Sequence, residues 1–92
     1  MQKMMNRKAC PKRGPQVIAQ KGSNDLLLFN MEDGNYYSLN EIGGRIWELC
    51  DGSHSVSQVV ESLAAEYGAP QEVLEKDVTE LLEDLQGGKL IV

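Results

Sequence analysis

Residues 25–40 constrain the fold of this chain more than any other stretch, because two strand patterns meet at a turn and a helix signal follows at once. The run LLLF at residues 26–29 is apolar on both faces of an extended strand, which is typical of the centre of a sheet. The Asp-Gly pair ending at Gly34 predicts a hairpin turn, and Tyr36–Leu39 returns as the next strand. Asn40 then predicts a helix N-cap. The outer edge of this last strand is therefore expected to lack a neighbouring strand.

A weaker strand pattern, Gln16–Gln20, precedes the strand predicted over Asp25–Met31. Residues 21–24, with the sequence KGSN, are turn formers. The three patterns together predict an antiparallel meander, in which the first and third strands are both edges of the sheet.

Three helical patterns follow the sheet, each with a start and a stop signal. The first helix starts after Asn40 and stops at Asp51-Gly52. The second starts at Ser55, in a capping box with Gln58, and stops at Gly68. The third has Pro70 at its first helical position and stops at Gly87-Gly88. Apolar residues at helical spacing predict the buried face of each helix: Ile42, Ile46, Trp47, Leu49, Cys50, Val59, Val60, Leu63, Tyr67, Leu74, Val78, Leu81, Leu82 and Leu85. Three strands followed by three helices in 92 residues predict one small α+β domain, in which the sheet and the last helix form the walls of a groove.

Two glycines and the chain end carry further expectations. Gly43 and Gly44 lie inside the first helical pattern, where each glycine costs about 1 kcal/mol relative to alanine. Close packing of this helix against another element is therefore expected at the pair. The apolar segment Leu90–Val92 is expected to pack back on the helices.

The charge is unevenly distributed along the chain. Residues 1–21 contain six basic residues and no acidic one, whereas residues 22–92 contain three basic and 14 acidic residues. We interpret residues 1–14 as a basic, flexible N-terminal arm and residues 15–92 as the domain itself. Two roles for the arm stay open, a solvated tail or a segment that contacts a partner or folds back on the acidic body.

Size and composition restrict the class of protein. A hydrophobic content of 41% with 25% charged residues is ordinary for a soluble domain. No apolar run reaches the roughly 18 residues of a membrane span, and no apolar segment of a secretory signal is present. Cys10 and Cys50 indicate reduced thiols rather than a disulfide framework. We therefore expect a cytoplasmic protein, not bound to a membrane, that is a monomer or a weak dimer.

No residue pattern indicates catalysis, a cofactor or a metal site. His54, the single histidine, lies at a helix start without a pattern that links it to a nucleophile. Cys50 falls in an apolar stripe and is expected to be a buried structural thiol, whereas Cys10 is either an incidental exposed thiol or a reactive one. Two cysteines and one histidine lack the spacing of a zinc site.

Three helices beside a small sheet also suggest a winged-helix DNA-binding protein, but charge argues against nucleic acid. The third helix carries six acidic residues against the single Lys76, and it would repel phosphate groups. A carrier protein with Ser53 as its attachment site fits the acidity but not the three strands. A small scaffold that binds another folded protein stays open.

A binding module with an exposed strand edge is the interpretation that the residues favour. A free edge offers unpaired N–H and C=O groups that a peptide can extend as a further strand. Tyr36 and Tyr37 point to opposite faces of their strand. One ring is expected to pack inward and the other to line a groove, unless both simply cover the sheet.

The ordered set of motifs along residues 11–92 resembles the PqqD family, the peptide chaperones first known from pyrroloquinoline quinone biosynthesis. The motifs that carry the resemblance are YYSLN at residues 36–40, Gly43–Trp47, Leu49–Gly52, Ser55-Val56, Leu63, Tyr67, Asp77-Val78 and Leu81–Leu85. Domains of this family are the recognition elements of enzymes that make ribosomally synthesised, post-translationally modified peptides.

The resemblance implies a winged helix-turn-helix-like domain that binds the leader of a precursor peptide as an added strand, between the third strand and the third helix. It implies no catalytic residue and no cofactor, and delivery of the peptide to a modifying enzyme such as a radical SAM protein, a protease or a cyclase. Carried onto this chain, the peptide-binding residues are Tyr36, Tyr37, Ser38 and Leu39 on the strand and Leu74, Asp77, Val78, Leu81 and Asp84 on the helix. The acidic helix predicts in addition a leader with basic residues near its hydrophobic anchors.

Overall fold

The computed structural model describes residues 7–92, which form a three-stranded sheet followed by three helices. The strands are β1 (Val17–Lys21), β2 (Leu26–Asn30) and β3 (Tyr36–Leu39), and the helices are α1 (Glu41–Leu49), α2 (Val56–Tyr67) and α3 (Gln71–Gly87). Neighbouring strands are antiparallel in the order β1-β2-β3. The predicted fold class, a three-stranded antiparallel sheet followed by three helices, is confirmed.

Side-chain alternation divides the sheet into a core face and an outer face. Leu28 of β2 is fully buried on the core face, opposite Tyr37. Phe29 points to the outer face and lies in register between Ile18 of β1 and Tyr36 of β3. All three of these outer side chains are exposed. β2 is thus the central strand, as its apolar character on both faces predicted.

α1 begins directly after β3 because Asn40 caps it. The Asn40 Oδ1 atom accepts a hydrogen bond of 2.8 Å from the Gly43 N–H group. A Cβ atom on Gly43 would lie 3.1 Å from Leu39 Cβ, which is tighter than ordinary contact, whereas a Cβ atom on Gly44 would lie 3.6 Å from Leu26 Cβ. The close packing expected at the two glycines is therefore present mainly at Gly43, where α1 rests on the end of β3.

α2 and α3 form a helical pair. α2 begins at the predicted capping box, in which Ser55 Oγ accepts from the Gln58 N–H group at 3.2 Å and Gln58 Oε1 accepts from the Ser55 N–H group at 2.9 Å. It ends at Gly68, whose φ of 62° is left-handed. α3 packs chiefly against α2. Pro70 was predicted as the first residue of α3, but it is the N-cap, and the helix begins one residue later at Gln71.

A single core of buried apolar residues joins the sheet, the helices and the chain end. Its members are Leu28, Leu39, Ile46, Trp47, Leu49, Cys50, Val56, Val59, Val60, Leu63, Leu74, Val78, Leu82, Leu85, Leu90 and Ile91. Three residues that were predicted to be buried differ. Tyr67 is 39% exposed, because it is the last residue of α2 and lines a surface concavity. Ile42 and Leu81 are only partly buried.

The described part of the basic arm lies against the body of the domain. Lys12 and Val92 exchange backbone hydrogen bonds of 3.1 and 2.7 Å, and the Val56 N–H group donates to Ala9 O at 2.9 Å. The arm folds back here, which is the second of the two roles considered above. Residues 1–6 lie outside the described residues, and the division of the chain at residue 14 stays a prediction.

The terminal segment also packs back, with Leu90 and Ile91 buried in the core. Nearby, Arg13 Nη1 donates hydrogen bonds to the carbonyl oxygens of Trp47 and Glu48 at 3.1 and 2.9 Å. A cation at this position satisfies carbonyl groups at the end of α1 and complements the helix dipole.

None of the helices in the described part of the chain has the length and apolar character needed to cross a membrane.

We expect Gly43→Ala and Gly44→Ala to have opposite effects on stability. A methyl group on Gly43 has to displace Leu39 or the capping Asn40, at a cost of roughly 1–3 kcal/mol that outweighs the gain in helix propensity. On Gly44 the methyl group meets ordinary contact, and a stabilisation of about 0.5–1 kcal/mol is expected. Urea denaturation measures both free energies of unfolding. The same sign of change in the two variants would contradict the close approach of α1 to β3.

The two cysteines are expected to differ in reactivity, because Cys10 is exposed and Cys50 is buried. Burial raises the pKa of the Cys50 thiol to about 12, so that this thiol stays protonated in the folded protein. At about pH 8, iodoacetamide should modify one thiol in the native protein and two in urea, as measured by intact mass. Since the folded pKa lies above the unfolded one, the stability linked to Cys50 is complete below about pH 9 and is lost as the pH rises towards 12. Modification of both native thiols would show that Cys50 is accessible.

Candidate functional site

The outer edge of β3 is free, and its hydrogen-bonding groups point away from the sheet. The Asn30 N–H group donates to Asn35 O at 2.8 Å, which marks a hydrogen-bonded pair at the end of the β2–β3 ladder. In an antiparallel ladder, hydrogen-bonded and non-hydrogen-bonded pairs alternate. Tyr36 and Ser38 occupy the intervening pairs, so that their N–H and C=O groups face outward. Backbone donors and acceptors are thus available to an added strand.

A concavity of about 450 Å³ lies beside this edge, between β3 and α3. We call it the β3–α3 groove. Tyr37, Leu39, Leu81 and Gly43 give it an apolar lining, and Asn24, Asp25 and Asn40 line it next to the β1–β2 turn. A free strand edge and an apolar groove therefore lie side by side, as the sequence predicted for the sheet and the last helix.

Two amide side chains hold the C-terminal end of α3 to the sheet. Asn30 is 1% exposed and donates from Nδ2 to Gly88 O at 3.3 Å, while its Oδ1 accepts from the Glu32 N–H group at 3.0 Å. Gln16 Nε2 donates to Lys89 O at 2.9 Å. These bonds fix where α3 meets the sheet, and they thereby set the position of the helical wall of the groove.

One hydrogen bond crosses the gap between β3 and α3. The Tyr37 hydroxyl donates to Asp84 Oδ2 at 3.3 Å. Partial burial, and then the Asp84 carboxylate, disfavour the phenolate and raise the pKa of Tyr37 above its ordinary value. The hydroxyl is therefore a hydrogen-bond donor at neutral pH, with the acidic side chain of Asp84 as its acceptor.

The structure brings several of the predicted site residues together. Ser38 is exposed on the free edge, and Tyr37, Leu39 and Leu81 line the groove next to it. Leu81 is partly buried, because it packs against the core and also lines the groove. Asp77 is exposed on α3 but is not among the residues that line the groove.

Three predicted site residues are placed differently. Leu74 and Val78 were expected in the helical wall, but they are 5% and 0% exposed and belong to the core beneath it. Tyr36 is 72% exposed on the outer face of the sheet, so its ring neither packs inward nor lines the groove. Its backbone still belongs to the free edge.

Sequence reasoning did not identify the amides that tether α3. An asparagine that ends an apolar strand is a signal for Asn30, because a buried polar group needs a specific partner. Nothing in the sequence indicates that Gln16 reaches Lys89, which lies 73 residues further along the chain.

Within residues 7–92, one cluster resembles catalytic chemistry, and it forms a turn between α1 and α2. Asp51 Oδ1 accepts from the N–H and Oγ groups of Ser53 at 2.9 and 2.8 Å and lies 2.9 Å from His54 Nδ1. The donors of Ser53, and then His54, hold the pKa of Asp51 below its usual range. Ser53 and His54 bind the same carboxylate oxygen, so the histidine does not activate the serine here. Among the described residues, no group of three or more metal-ligating side chains is placed to hold an ion.

Residues 25–91 match the sequence model of the family described as Coenzyme PQQ synthesis protein D (PqqD), and the chain belongs to this family. The chain is 44% identical over 46 residues to the PqqA binding protein of Bradyrhizobium diazoefficiens, covering 50% of this chain and 45% of that protein. It is 48% identical over 40 residues to the PqqA binding protein of Gluconobacter oxydans, covering 44% and 42%. The matched stretch thus spans less than half the length of these curated relatives.

Two solved structures share the fold. "TbiB1 in Complex with the TbiA(beta) Leader Peptide" has a TM-score of 0.78 at 25% identity, over 87% of this chain and 93% of that chain. "Lasso peptide synthetase B1 complexed with the leader peptide" has a TM-score of 0.80 at 21% identity, over 91% of this chain and 99% of that chain. The winged helix-turn-helix-like class expected from the resemblance is confirmed.

Proposed function

We propose that this protein is a non-catalytic peptide chaperone, which binds the leader of a ribosomally made precursor peptide as a strand added to β3. The observation that carries the proposal is the free edge at Tyr36 and Ser38 beside an apolar groove. Ladder hydrogen bonds supply affinity that is independent of sequence, and side chains that enter the groove supply selectivity. The family, the relatives named for binding PqqA and the structures titled as leader-peptide complexes support the same assignment.

The proposal extends to what happens to the bound peptide. A chaperone of this kind delivers its peptide to a modifying enzyme, and we infer a radical SAM protein, a protease or a cyclase as that partner. Strand addition leaves the residues beyond the leader free, so that they can enter the active site of a second protein. We place the complex in the cytoplasm, where the free thiols of Cys10 and Cys50 stay reduced.

A second candidate function is a scaffold that binds another folded protein. The outer face of the sheet favours it, because Ile18, Phe29 and Tyr36 form a cross-strand row that is 52%, 40% and 72% exposed. Amide shift mapping by NMR with the leader of a candidate precursor peptide separates the two functions. Changes at residues 36–39 and at Leu81 support strand addition, whereas changes confined to residues 16–20 or to α2 would contradict it.

Ser38→Pro is expected to weaken leader binding by roughly 3- to 10-fold, since it removes one outward N–H group from the ladder. Ala19→Pro is the matched control. The Met31 N–H group donates to Gln16 O at 3.1 Å and Ala19 pairs with Leu28, so the Ala19 N–H group faces outward on the opposite edge, that of β1. Fluorescence anisotropy gives both affinities, and thermal melts confirm that both variants fold. Equal losses in the two variants would rule out β3 as the binding edge.

Charge reversal on α3 is expected to slow association with a leader that carries basic residues. Asp77→Lys and Asp84→Lys should each lower the association rate several-fold at low salt and flatten its salt dependence. The reason is that charges at the edge of a binding site attract or repel a charged partner as it approaches, and salt screens this effect. Glu61→Lys is the control, since this exposed acid of α2 lines neither the groove nor its surroundings. Stopped-flow fluorescence measures the rates. Unchanged kinetics in both α3 variants would remove electrostatic steering from the mechanism.

A further inference from the structure

We propose that a second pocket, next to the β3–α3 groove, takes a lysine or arginine side chain of the same bound peptide. This inference rests on the proposed function, because it names the chemistry of the peptide that the groove binds. The second pocket has a volume of about 280 Å³ and lies between the β1–β2 turn, the start of α1 and the end of α2. We call it the turn pocket.

The groove and the turn pocket are adjacent. Asn24, Asp25 and Asn40 line both of them. The border that the two concavities share lies at the end of β3 where the chain enters α1. A ligand that fills the groove therefore ends next to the turn pocket.

An added strand leads in this direction. A peptide residue that lies two positions beyond the one opposite Ser38 lies opposite Asn40, on the shared border. At the other end of β3 the chain turns back through residues 31–35, and Asn30 holds α3 against the sheet. A peptide that continues past the Leu39 end of the strand passes the shared border, and we assign its next side chain on the core-facing side to the turn pocket.

The charges of the turn pocket favour a cation. Its one arginine, Arg45, is already bound by Glu66 at 2.7 Å and by Glu48 at 3.1 Å, and this cluster keeps one excess negative charge. Asp25 and Glu41 also line the pocket and form no ion pair within residues 7–92. Lys21 is the opposing charge in the lining. A further positive group is therefore attracted to the pocket.

The walls suit the long stem of a basic side chain. Tyr67 lines the pocket with a ring that is 39% exposed, although its position in the helical stripe of α2 predicted burial. Leu26, which is partly buried, lines the pocket as well. The methylene groups of lysine or arginine pack on such surfaces, and the cation gains from the face of an aromatic ring.

Selection from an mRNA-displayed library of random 16-residue peptides tests the proposal. Peptides enriched on the wild-type protein should share an apolar strand segment followed, at a fixed distance, by lysine or arginine. On the double variant Asp25→Asn with Glu41→Gln, the strand segment should persist while the basic residue becomes at least about fivefold less frequent. The double variant Glu32→Gln with Glu61→Gln makes the same change in net charge outside the pocket and should keep the preference.

The outcomes separate this inference from the proposed function. If Ser38→Pro lowers enrichment but no basic residue is preferred on the wild type, the turn pocket is overturned and strand addition stands. The same holds if the preference survives in the Asp25→Asn and Glu41→Gln variant. If Ser38→Pro enriches the same peptides to the same extent as the wild type, strand addition fails and the turn pocket fails with it.

Affinities measured with one enriched peptide give a second test. Replacing its basic residue by norleucine keeps the stem and removes the charge, and it should weaken binding to the wild type by about fivefold. The same replacement should change binding to the Asp25→Asn and Glu41→Gln variant by less than about twofold. Equal losses on the two proteins would show that the basic residue does not meet these carboxylates. Thermal melts of each variant verify that the fold is retained.

Discussion

The direct passage from β3 to α1 at Asn40 is the constraint on which the rest of the structure depends. The Asn40 side chain caps α1 one residue after the strand ends, and Gly43 allows this helix to lie closely on Leu39. Because the chain turns away into a helix at this point, no later strand covers the outer side of β3. The same turn places the start of α1 at the border between the groove and the turn pocket. One capped junction thus creates the free edge of β3 and sets the border between the groove and the turn pocket.

Polar bonds at the C-terminal end of α3 help to keep the groove open, in addition to the apolar core that α3 shares with the sheet. Apolar packing is non-directional and would draw the helix onto the strands. Here α3 packs chiefly on α2, and Asn30 and Gln16 bind carbonyl groups at its C-terminal end. Hydrogen bonds have fixed geometry, so they hold the helix beside β3 at a defined position. A space bordered by Tyr37 and Leu81 remains between the two walls.

The basic residues of the arm and the acidic residues near the groove differ in how they are paired within the fold. The basic arm is satisfied within the fold where it is described: Arg13 binds the end of α1, and Arg7 lies 3.4 Å from Glu75 in an exposed ion pair of small energetic value. The acidic groups beside the groove and in the turn pocket are not balanced in this way. In the proposed function, the surplus of carboxylates acts on the encounter with the peptide and on selectivity more than on the stability of the fold.

Local chemistry made much of the architecture predictable from the sequence. Short-range signals placed every element within about two residues: Gly34 for the hairpin, Asn40 and the Ser55 capping box for two helix starts, and Gly68 for a helix end. The order of the three strands followed from the turn signals at residues 21–24 and at Asp33-Gly34. The free edge at β3 was predicted because Asn40 begins a helix directly after the last strand.

Which helical residues face the groove was decided by tertiary packing. Leu74, Val78 and Leu81 share one stripe of α3, but α2 and the core take the first two, and only Leu81 meets the groove. Periodicity gives the apolar side of a helix, yet it does not tell which part of that side a neighbour covers. Tyr67 is exposed for a related reason, because the last turn of α2 borders a concavity instead of the core.

The sequence by itself determined the elements, their order and the free strand edge, since these depend on neighbouring residues. The position of the helical wall and the turn pocket depends on contacts between distant residues, such as Gln16 with Lys89 and Arg45 with Glu66, and only the tertiary structure decided them.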